Sequence, residues 1–474
     1  MFGGMPLKNS KVSAGGAGKH VTKEGIKKCY DNGIEFINIS PLIDDAPEFL
    51  NAEQIPIRPN TDTALMLALA NVLIKNNTYD KKFIVKYTVG FDSFSEYVLG
   101  NKNNQECSPE WASKITNIPV KKIYELADQI ISKKTMISLS WSLQRASSGE
   151  QPLWMGITLA AMLGHIGTAS GGFGFGYSSV NSTGDSFNRM PWQSLPQGKN
   201  KIRDFIPVAR VTDMLENPGD KFDYDGKKLT YPDIKLIYWA GGNPFHHHQD
   251  LNRLVKAWQK PNTIIVNEIW WNSQARHADI IFPANTALER NDLMLNPRDP
   301  TLIANKKAME SFHNSKTDYE IFSGLAKELG FLEAFTENKD ELDWIKFIWD
   351  SSSKAHQRKD ISFPKFEDFW EKGFFELPKP ETEKVMLNDF RRDPNKFPLN
   401  TPSGKIEISS VTIANFELTD CFSHPYWFEP YEWLGNVNKY PLHLISNQPK
   451  HRLHGQLDNA SGSLDNKING KEPV

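Results

Sequence analysis

Two glycines and three consecutive histidines lie close together in the segment YWAGGNPFHHHQDLNRL, residues 238–254. Gly241 and Gly242 have no Cβ, so the backbone there can approach a phosphate closely, and the helix predicted next would point its N-terminus at the same anion. Adjacent side chains diverge, whereas zinc sites space paired histidines by about three to five residues. The segment therefore favours an anion-binding loop over a metal site, although a plain Gly-Gly-Asn-Pro turn also fits it.

Polar residues stand at the ends of the two strands predicted next along the chain. Asn267 and Glu268 end the strand NTIIVNEI (262–269), and Arg290 follows the strand ADIIFPA (278–284). Ligands of parallel sheets bind beyond the carboxyl ends of the strands, and an acid about twenty residues after the glycines is typical of a ribose contact. These residues strengthen the nucleotide interpretation of the glycine loop.

A second set of polar residues follows a strand in the first third of the chain. The segment SWSLQRASSGEQ (140–151) brings Trp141, Gln144 and Arg145 to the end of that strand. A guanidinium such as that of Arg145 is suited to pair with a phosphate or an oxyanion substrate. An ordinary surface arginine explains the same residue, so both interpretations stay open.

Asp62 stands at the start of a predicted helix in the same block, directly after Thr61. A Thr-Asp start is typical of an N-capped helix, and a cap contributes about 0.5–2 kcal/mol. Asp62 is thus explained equally well as a capping acid or as a ligand contact. A glycine-rich segment, GGAGKH (15–20), follows what the sequence indicates is a strand end near residue 1.

Alternating strands and helices must position both sets of residues. The first block is predicted to contain a helix at 22–32, a strand at 33–40, a helix at 61–75, a strand at 135–142 and a helix at 152–167. The second block is predicted to contain strands at 233–240, 262–269 and 278–284 and helices at 250–260 and 318–330. This alternation indicates an α/β protein with two Rossmann-like units, each a parallel sheet with helices on both faces.

The predicted domain boundaries follow changes in composition. Residues 1–175 form the first Rossmann-like nucleotide-binding domain, and the polar stretch 176–230 is a long excursion over the surface. Residues 231–435 form the second such domain, with helical and loop additions, and 436–474 begin a C-terminal β-barrel-like domain.

The bulk composition narrows the class of protein. The 474 residues carry 55 Lys plus Arg against 57 Asp plus Glu, without the basic excess of nucleic-acid binders. Cys29, Cys107 and Cys421 are far apart and form no CxxC pair, which argues against a disulfide framework, a zinc knuckle or an iron–sulfur cluster. From the balanced charge we expect no nucleic-acid partner. Because the chain also lacks an apolar run of about 18 residues and the apolar core of a signal peptide, we expect no membrane insertion.

Five segments occur in an order that is informative as a whole. They are WSLQRASSGEQPLWMGITLAAMLGHIGTASGGFGFGY, IYWAGGNPFHHHQDLNRLVKAWQKP, ARHADIIFPANTALERND, TPSGKIEIS and HRLHGQLDN. Together they resemble the dimethyl sulfoxide reductase family of molybdenum enzymes, and within it the branch of the trimethylamine-N-oxide and biotin sulfoxide reductases. The resemblance covers nearly the whole chain.

The resemblance implies a cofactor and a reaction. The cofactor is molybdenum bound by two molybdopterin guanine dinucleotides, with one dinucleotide on each Rossmann-like domain. The reaction is the reduction of a small S-oxide or N-oxide by oxygen-atom transfer, with electrons from a donor such as a c-type cytochrome or a cytoplasmic reductant. Relatives work in the periplasm or the cytoplasm, and the resemblance leaves the compartment open.

The resemblance also assigns residues to the parts of the site. The contacts with one nucleotide are Gly241, Gly242, Asn243, His247, Asn267, Glu268, Arg290 and Asp318. The guanine side of the other nucleotide falls to Thr61 and Asp62, and the pterin and substrate end to Trp141, Gln144 and Arg145. Ser446, Arg452 and His454 resemble a loop that closes over the pterins.

The sequence departs from the family at several positions. Ser40 stands where the family has a strand-end aspartate, with Asp44 or Asp45 as substitutes, and Gln448 and Gly455 replace a histidine and a serine. The family's serine ligand to molybdenum belongs to an N-terminal portion that we expect to precede this chain, so no metal ligand is assigned.

Two other functions are compatible with parts of the pattern. One is a truncated, inactive fragment of such a reductase. The other is a nicotinamide-dependent dehydrogenase, which is disfavoured because no GxGxxG follows a predicted strand.

Overall fold

The computed structural model describes residues 1–4, 7, 22–176, 192–294, 300–357, 361–379, 381–382, 384–437, 440–445 and 457–472. The chain divides into two compact units. The first comprises Met1–Asn188, Arg298–Pro300 and Pro378–Ile445, and the second Arg189–Pro297, Thr301–Leu377 and Ser446–Val474. These limits differ from the predicted boundaries at 175, 230 and 435, chiefly because the chain returns to the first unit after residue 377.

The strands are β1 Ile37–Ile39, β2 Glu53–Ile55, β3 Thr88–Val89, β4 Met136–Leu139, β5 Gly172–Phe175, β6 Lys221–Tyr224, β7 Lys227–Thr230, β8 Leu236–Ala240, β9 Thr263–Glu268, β10 Ile280–Pro283, β11 Asp292–Met294, β12 Thr301–Asn305, β13 Phe374–Glu376 and β14 Ile406–Glu407. The helices are α1 Thr22–Asp31, α2 Asp62–Lys75, α3 Lys81–Tyr87, α4 Phe91–Val98, α5 Pro109–Thr116, α6 Val120–Ser132, α7 Glu150–Met162, α8 Val211–Glu216, α9 Pro244–His247, α10 Leu251–Ala257, α11 Asp318–Glu328, α12 Leu332–Thr336, α13 Glu341–Gln357, α14 Phe366–Lys372, α15 Asn388–Arg392, α16 Val411–Ala414 and α17 Ser461–Leu464.

A parallel sheet organises the first unit, and its middle position is held by Phe2. Phe2 bridges Ile39 of β1 on one side and Leu139 of β4 on the other, both in the parallel sense. Its N–H donates to the Ser138 carbonyl at 2.8 Å, and its carbonyl accepts from the Ser140 N–H at 2.8 Å. Because β1 pairs with β2 and β4 with β5, the spatial order is β2, β1, Phe2, β4, β5. Phe2 thus lies in the sheet as a single bridged residue, at the position of the strand end predicted near residue 1.

Helix α2 forms the centre of the first unit because nearly all of its side chains are apolar. Leu65, Met66 and Leu67 are fully buried, and only the last turn reaches solvent. The predicted bounds of the helix are confirmed, but Thr61 does not cap it. The Thr61 hydroxyl donates instead to the Arg58 carbonyl at 2.7 Å.

The returning segment joins the first unit through α15 and β14. Phe390 enters the core, and Arg391 Nη1 donates to the carbonyls of Gly164 and Ile166, each at 2.7 Å. Strand β14 pairs in parallel with β3. These contacts tie the segment after residue 377 to the first unit.

A second parallel sheet, in the order β10, β9, β8, organises the second unit. Helix α10 covers it with Leu254, and Trp258 after the helix fills the core beside Val266. Helix α8 is tied to α10 by ion pairs from Arg253 to Asp213 and Glu216. The three predicted strands and the helix between them are thus confirmed, and with them the α/β class with parallel sheets.

The second unit contains further regular structure besides this sheet. Strands β11, β12 and β13 form an antiparallel sheet, and helices α11–α14 accompany it. Within the predicted surface excursion, α8 and the hairpin β6–β7 provide regular structure. The predicted C-terminal β-barrel-like domain stays a prediction, because residues 446–456 lie outside the described residues. In the described parts of the chain, no helix is long and apolar enough to cross a membrane.

Candidate functional site

The glycine pair lies where β8 ends, at the carboxyl edge of the second sheet. Gly241 and Gly242 have φ angles of +82° and +79°, in the left-handed region that favours glycine. A Cβ on Gly241 would meet no atom within 4 Å, and one on Gly242 only Trp239 Nε1 at 3.8 Å. The two residues therefore expose bare backbone to open space, as a close approach by a ligand requires.

Asn243 gives the glycine loop its shape. Its Oδ1 accepts from the Phe245 N–H at 3.0 Å and so caps the single turn of α9. Its Nδ2 donates to Ser273 Oγ at 3.3 Å, which ties the loop to the segment after β9. The buried amide is thus engaged within the protein, and its predicted nucleotide contact stays a prediction.

The histidine triplet lies at the end of this turn. His246 and His247 are exposed, whereas His248 is half-buried. Burial, and then the proximity of His247, lower the pKa of His248. The described residues contain no group of three or more His, Cys, Asp or Glu side chains placed to hold a metal ion.

Asn267 connects the neighbouring strand end to the helix α11. It lies opposite Ala240 in the sheet register, directly beside the start of the glycine loop. Asn267 is 5% exposed; its Oδ1 accepts from the Tyr238 hydroxyl and its Nδ2 donates to Asp318 Oδ1, both at 2.9 Å. Three predicted contact positions, the glycine loop, Asn267 and Asp318, are therefore brought together at one sheet edge.

Glu268 shapes the loop after β9. Its Oε1 accepts from the backbone N–H groups of Ile269 at 2.8 Å and Trp270 at 3.3 Å. Its Oε2 accepts from Asn272 Nδ2 at 2.9 Å. Both carboxylate oxygens are thus occupied by the residue's own loop, and the predicted ribose contact stays a prediction.

Arg290 provides positive charge beside these groups. Its guanidinium binds Asp292 Oδ2 through Nε at 3.3 Å and Nη2 at 3.2 Å, and Nη1 lies 4.0 Å from Asp318 Oδ2. Burial is the main cause that raises the pKa of the nearby Glu341 carboxyl. The side chain of Arg290 therefore lies between the carboxylates of Asp292, at the start of β11, and Asp318, at the start of α11.

The predicted substrate-end residues lie at the carboxyl edge of the first sheet. Trp141–Arg145 form a short 3-10 helix directly after β4. The loop then folds back tightly, because a Cβ on Gly149 would overlap the carbonyl of Gln144. Gln144 and Arg145 are exposed, and Arg145 makes no ion pair within the described part of the chain.

Asp62 is a buried acid at the first position of α2. It is 6% exposed, and burial raises the pKa of its carboxyl to about 6. Among the described residues no cation pairs with it, so the charged form lacks compensation at neutral pH. A ligand that donates N–H groups to this carboxylate would supply that compensation.

Sequence reasoning missed several groups that organise the two edges. Tyr238 lies in the predicted strand 233–240, where the sequence assigns it no role, yet its hydroxyl donates to Asn267 Oδ1. Asp45, one of two possible substitutes for a strand-end acid, accepts a hydrogen bond from the Ser40 hydroxyl. A tyrosine two residues before the end of β8 was a signal in the sequence, because alternate residues of a strand share a face. The predicted contacts Ser446, Arg452 and His454, and the segment GGAGKH, lie outside the described residues.

The edge formed by β8, β9 and β10 defines a class of protein. Beyond the carboxyl ends of these strands lie the glycine pair, the amide of Asn267 and the carboxylate of Asp318 at the start of α11. This is where α/β proteins bind nucleotide-like ligands. The model of the molybdopterin oxidoreductase family matches residues 18–328, and the chain belongs to this family.

Curated relatives agree with that assignment. The chain is 42% identical to a biotin sulfoxide reductase of Cereibacter sphaeroides, over 100% of this chain and 64% of the relative. It is 40% identical to a dimethyl sulfoxide/trimethylamine N-oxide reductase of the same organism, over 96% of the chain and 57% of the relative. It is 41% identical to a trimethylamine-N-oxide reductase of Haemophilus influenzae, over 95% of the chain and 57% of the relative. The chain thus spans roughly three fifths of the length of these proteins, and the predicted family is confirmed.

A solved structure supports the fold. Acetylene hydratase from Pelobacter acetylenicus matches with a TM-score of 0.58 and 18% identity, over 85% of this chain and 55% of that one. At this identity the likeness concerns the fold alone. The family assignment also argues against a nicotinamide-dependent dehydrogenase, since the matching model is that of molybdopterin enzymes.

Proposed function

We propose that this chain carries nucleotide-binding parts of a molybdenum-dependent oxidoreductase that reduces small S-oxides or N-oxides by oxygen-atom transfer. Its relatives carry the names of biotin sulfoxide, dimethyl sulfoxide and trimethylamine-N-oxide reductases. When bound, the molybdopterin cofactor supplies the oxygen-atom transfer and its electrons. The polypeptide supplies binding, orientation and charge.

We further propose that the cofactor is the bis-guanine-dinucleotide form, with one nucleotide beyond each parallel sheet. The observation that carries this proposal is the sheet edge of the second unit. There the exposed backbone of Gly241 and Gly242 adjoins Asn267, whose amide is bound to Asp318. An anion fits the glycines, and a base with N–H donors fits the carboxylate.

The first unit fits the same kind of ligand through different groups. Asp62 is a buried carboxyl with no pairing cation among the described residues, and Thr61 fixes the chain that leads to it. Arg145, exposed at the sheet edge without an ion-pair partner in the described residues, is suited to a phosphate or to the polar S–O or N–O bond of a substrate. Trp141 begins the same short helix and is proposed to border the substrate. Glu268, Arg290 and His247 complete the proposed contacts of the second nucleotide.

The glycine loop offers a test with a matched control. Gly242→Ala places a Cβ where a phosphate would approach, and Gly219→Ala adds the same strain at φ +88° in open space elsewhere in the second unit. The chain and both variants are produced in a host that makes the molybdenum cofactor. We expect Gly242→Ala to lower molybdenum content at least several-fold, while Gly219→Ala retains it.

Activity is measured on the same preparations. Reduction of trimethylamine N-oxide, dimethyl sulfoxide and biotin sulfoxide is followed with reduced viologen, which replaces a natural donor such as a c-type cytochrome or a cytoplasmic reductant. Molybdenum-dependent turnover supports the reductase. Bound molybdenum without turnover of any oxide favours the inactive alternative, and equal molybdenum content in both glycine variants contradicts the proposed site.

A further inference from the structure

A hydrogen-bonded relay crosses the second unit from β8 to α11. The Tyr238 hydroxyl donates to Asn267 Oδ1 at 2.9 Å, and Asn267 Nδ2 donates to Asp318 Oδ1 at 2.9 Å. Tyr238 stands two residues before the end of β8, and its hydroxyl reaches diagonally across to Asn267, the last residue but one of β9. The relay therefore joins all three elements that meet at the candidate site.

The Tyr238 hydroxyl and the Asp318 carboxylate permit only one orientation of the Asn267 amide between them. A carboxylate only accepts hydrogen bonds, so the Nδ2 of Asn267 must face Asp318. The Oδ1 then faces Tyr238 and needs a donor. Burial, and then the charge of Asp318, raise the pKa of the Tyr238 hydroxyl, which therefore stays protonated and supplies that donor.

The consequence falls on the second oxygen of Asp318. Oδ1 is occupied by Asn267, whereas among the described residues Oδ2 is approached only by the Arg290 guanidinium at 4.0 Å, beyond hydrogen-bond reach. The side chain of Asp318 is about half exposed, at 48%. A fixed and accessible carboxylate oxygen beside a helix start is suited to a ligand that presents N–H donors.

We propose that Tyr238 is a positioning residue that sets the base selectivity of this site. By fixing Asn267 it holds Asp318 toward a 2-aminopyrimidin-4-one edge, which carries adjacent N–H donors and which guanine and pterin share. Adenine presents an acceptor at the corresponding ring nitrogen and is excluded. This inference rests on the proposed nucleotide-binding function and adds a residue to which no role is yet assigned.

The test compares nucleotides on the full chain purified without cofactor. Calorimetry measures the affinity for GDP, for IDP, which lacks the 2-amino group, and for ADP. The wild-type chain is expected to bind GDP more tightly than IDP or ADP. Tyr238→Phe should weaken GDP binding about 5- to 10-fold, as loss of one buried hydrogen bond does, and leave ADP binding unchanged.

Two controls separate positioning from damage to the fold. Tyr224→Phe alters an exposed tyrosine of β6 in the same unit and should change neither affinity. Asn267→Ser, which cuts the relay at its centre, should reproduce the loss of selectivity seen for Tyr238→Phe. In the background of Asp318→Asn, the Tyr238→Phe effect should disappear, because coupled residues are not additive.

The outcomes distinguish the inference from the function beneath it. A wild-type chain that binds neither GDP nor 6-hydroxymethylpterin overturns both. Unchanged affinities of Tyr238→Phe for both GDP and 6-hydroxymethylpterin, or an equal loss for GDP and ADP, overturn the positioning role and leave the nucleotide site standing. A loss confined to 6-hydroxymethylpterin supports the relay and identifies the pterin as the source of the recognised edge.

Discussion

Asp62 allows the electrostatics of the first unit to be tested quantitatively. Burial raises the pKa of its carboxyl from an ordinary value of 3.8 to about 6, without a pairing cation in the described residues. Because the folded-state pKa lies above the unfolded one, folding binds a proton between these values. The stability that the protonated Asp62 carboxyl contributes is fully present below about pH 4 and is lost as the pH rises through about 6.

The magnitude follows from the shift. A rise of about two pKa units corresponds to about 3 kcal/mol, the cost of ionising the buried group above pH 6. Asp62→Asn removes the ionisable group and keeps the shape of the side chain. We expect the free energy of unfolding at pH 8 to rise by up to about 3 kcal/mol, and the difference from wild type to shrink toward zero near pH 4.

Urea unfolding followed by tryptophan fluorescence, repeated from pH 4 to pH 8, measures this difference. Asp128→Asn changes an exposed aspartate of α6 in the same unit and should leave the profile of the wild-type chain intact. A variant Asp62→Asn that is less stable than wild type at pH 8, or a difference that does not vary with pH, would refute the reasoning.

Two further predictions concern packing. Arg391→Met leaves two backbone carbonyls without their shared donor and should lower the free energy of unfolding, measured by urea titration, by about 2 kcal/mol. Arg392→Met, on the exposed side of α15, is the control and should be nearly neutral in the same titration. Gln274 is 1% exposed, and neither of its amide atoms has a hydrogen-bond partner among the described residues. Gln274→Met should therefore leave the free energy of unfolding unchanged or raise it, and a loss comparable to that of Arg391→Met would contradict this. The exposed Gln259→Met is the control.

The sequence allowed local structure to be predicted closely. The apolar run of α2 and the strands β8, β9 and β10 are recognisable because their periodicity and length are local properties. Asn267 at the end of β9 was predicted as a site residue for the same reason, since the carboxyl ends of parallel strands share one edge.

Features that depend on distant residues were not predictable in this way. The hydroxyl of Tyr238 gains its role only when α11 brings Asp318 to the sheet, some eighty positions further along the chain. Nothing local to Arg391 indicates that it binds carbonyls beyond α7, so the return of the chain to the first unit was missed. The side chain of Thr61 does not cap α2, because its hydroxyl donates to the Arg58 carbonyl in the preceding turn.

The claim that guanine nucleotides lie beyond both parallel sheets is tested most directly by the composition of the loaded chain. The chain is purified from a host that makes the molybdenum cofactor, and acid-released GMP is quantified against molybdenum in the same sample. Our account predicts two molecules of GMP for each molybdenum. One molecule of GMP for each molybdenum, or none, would contradict it.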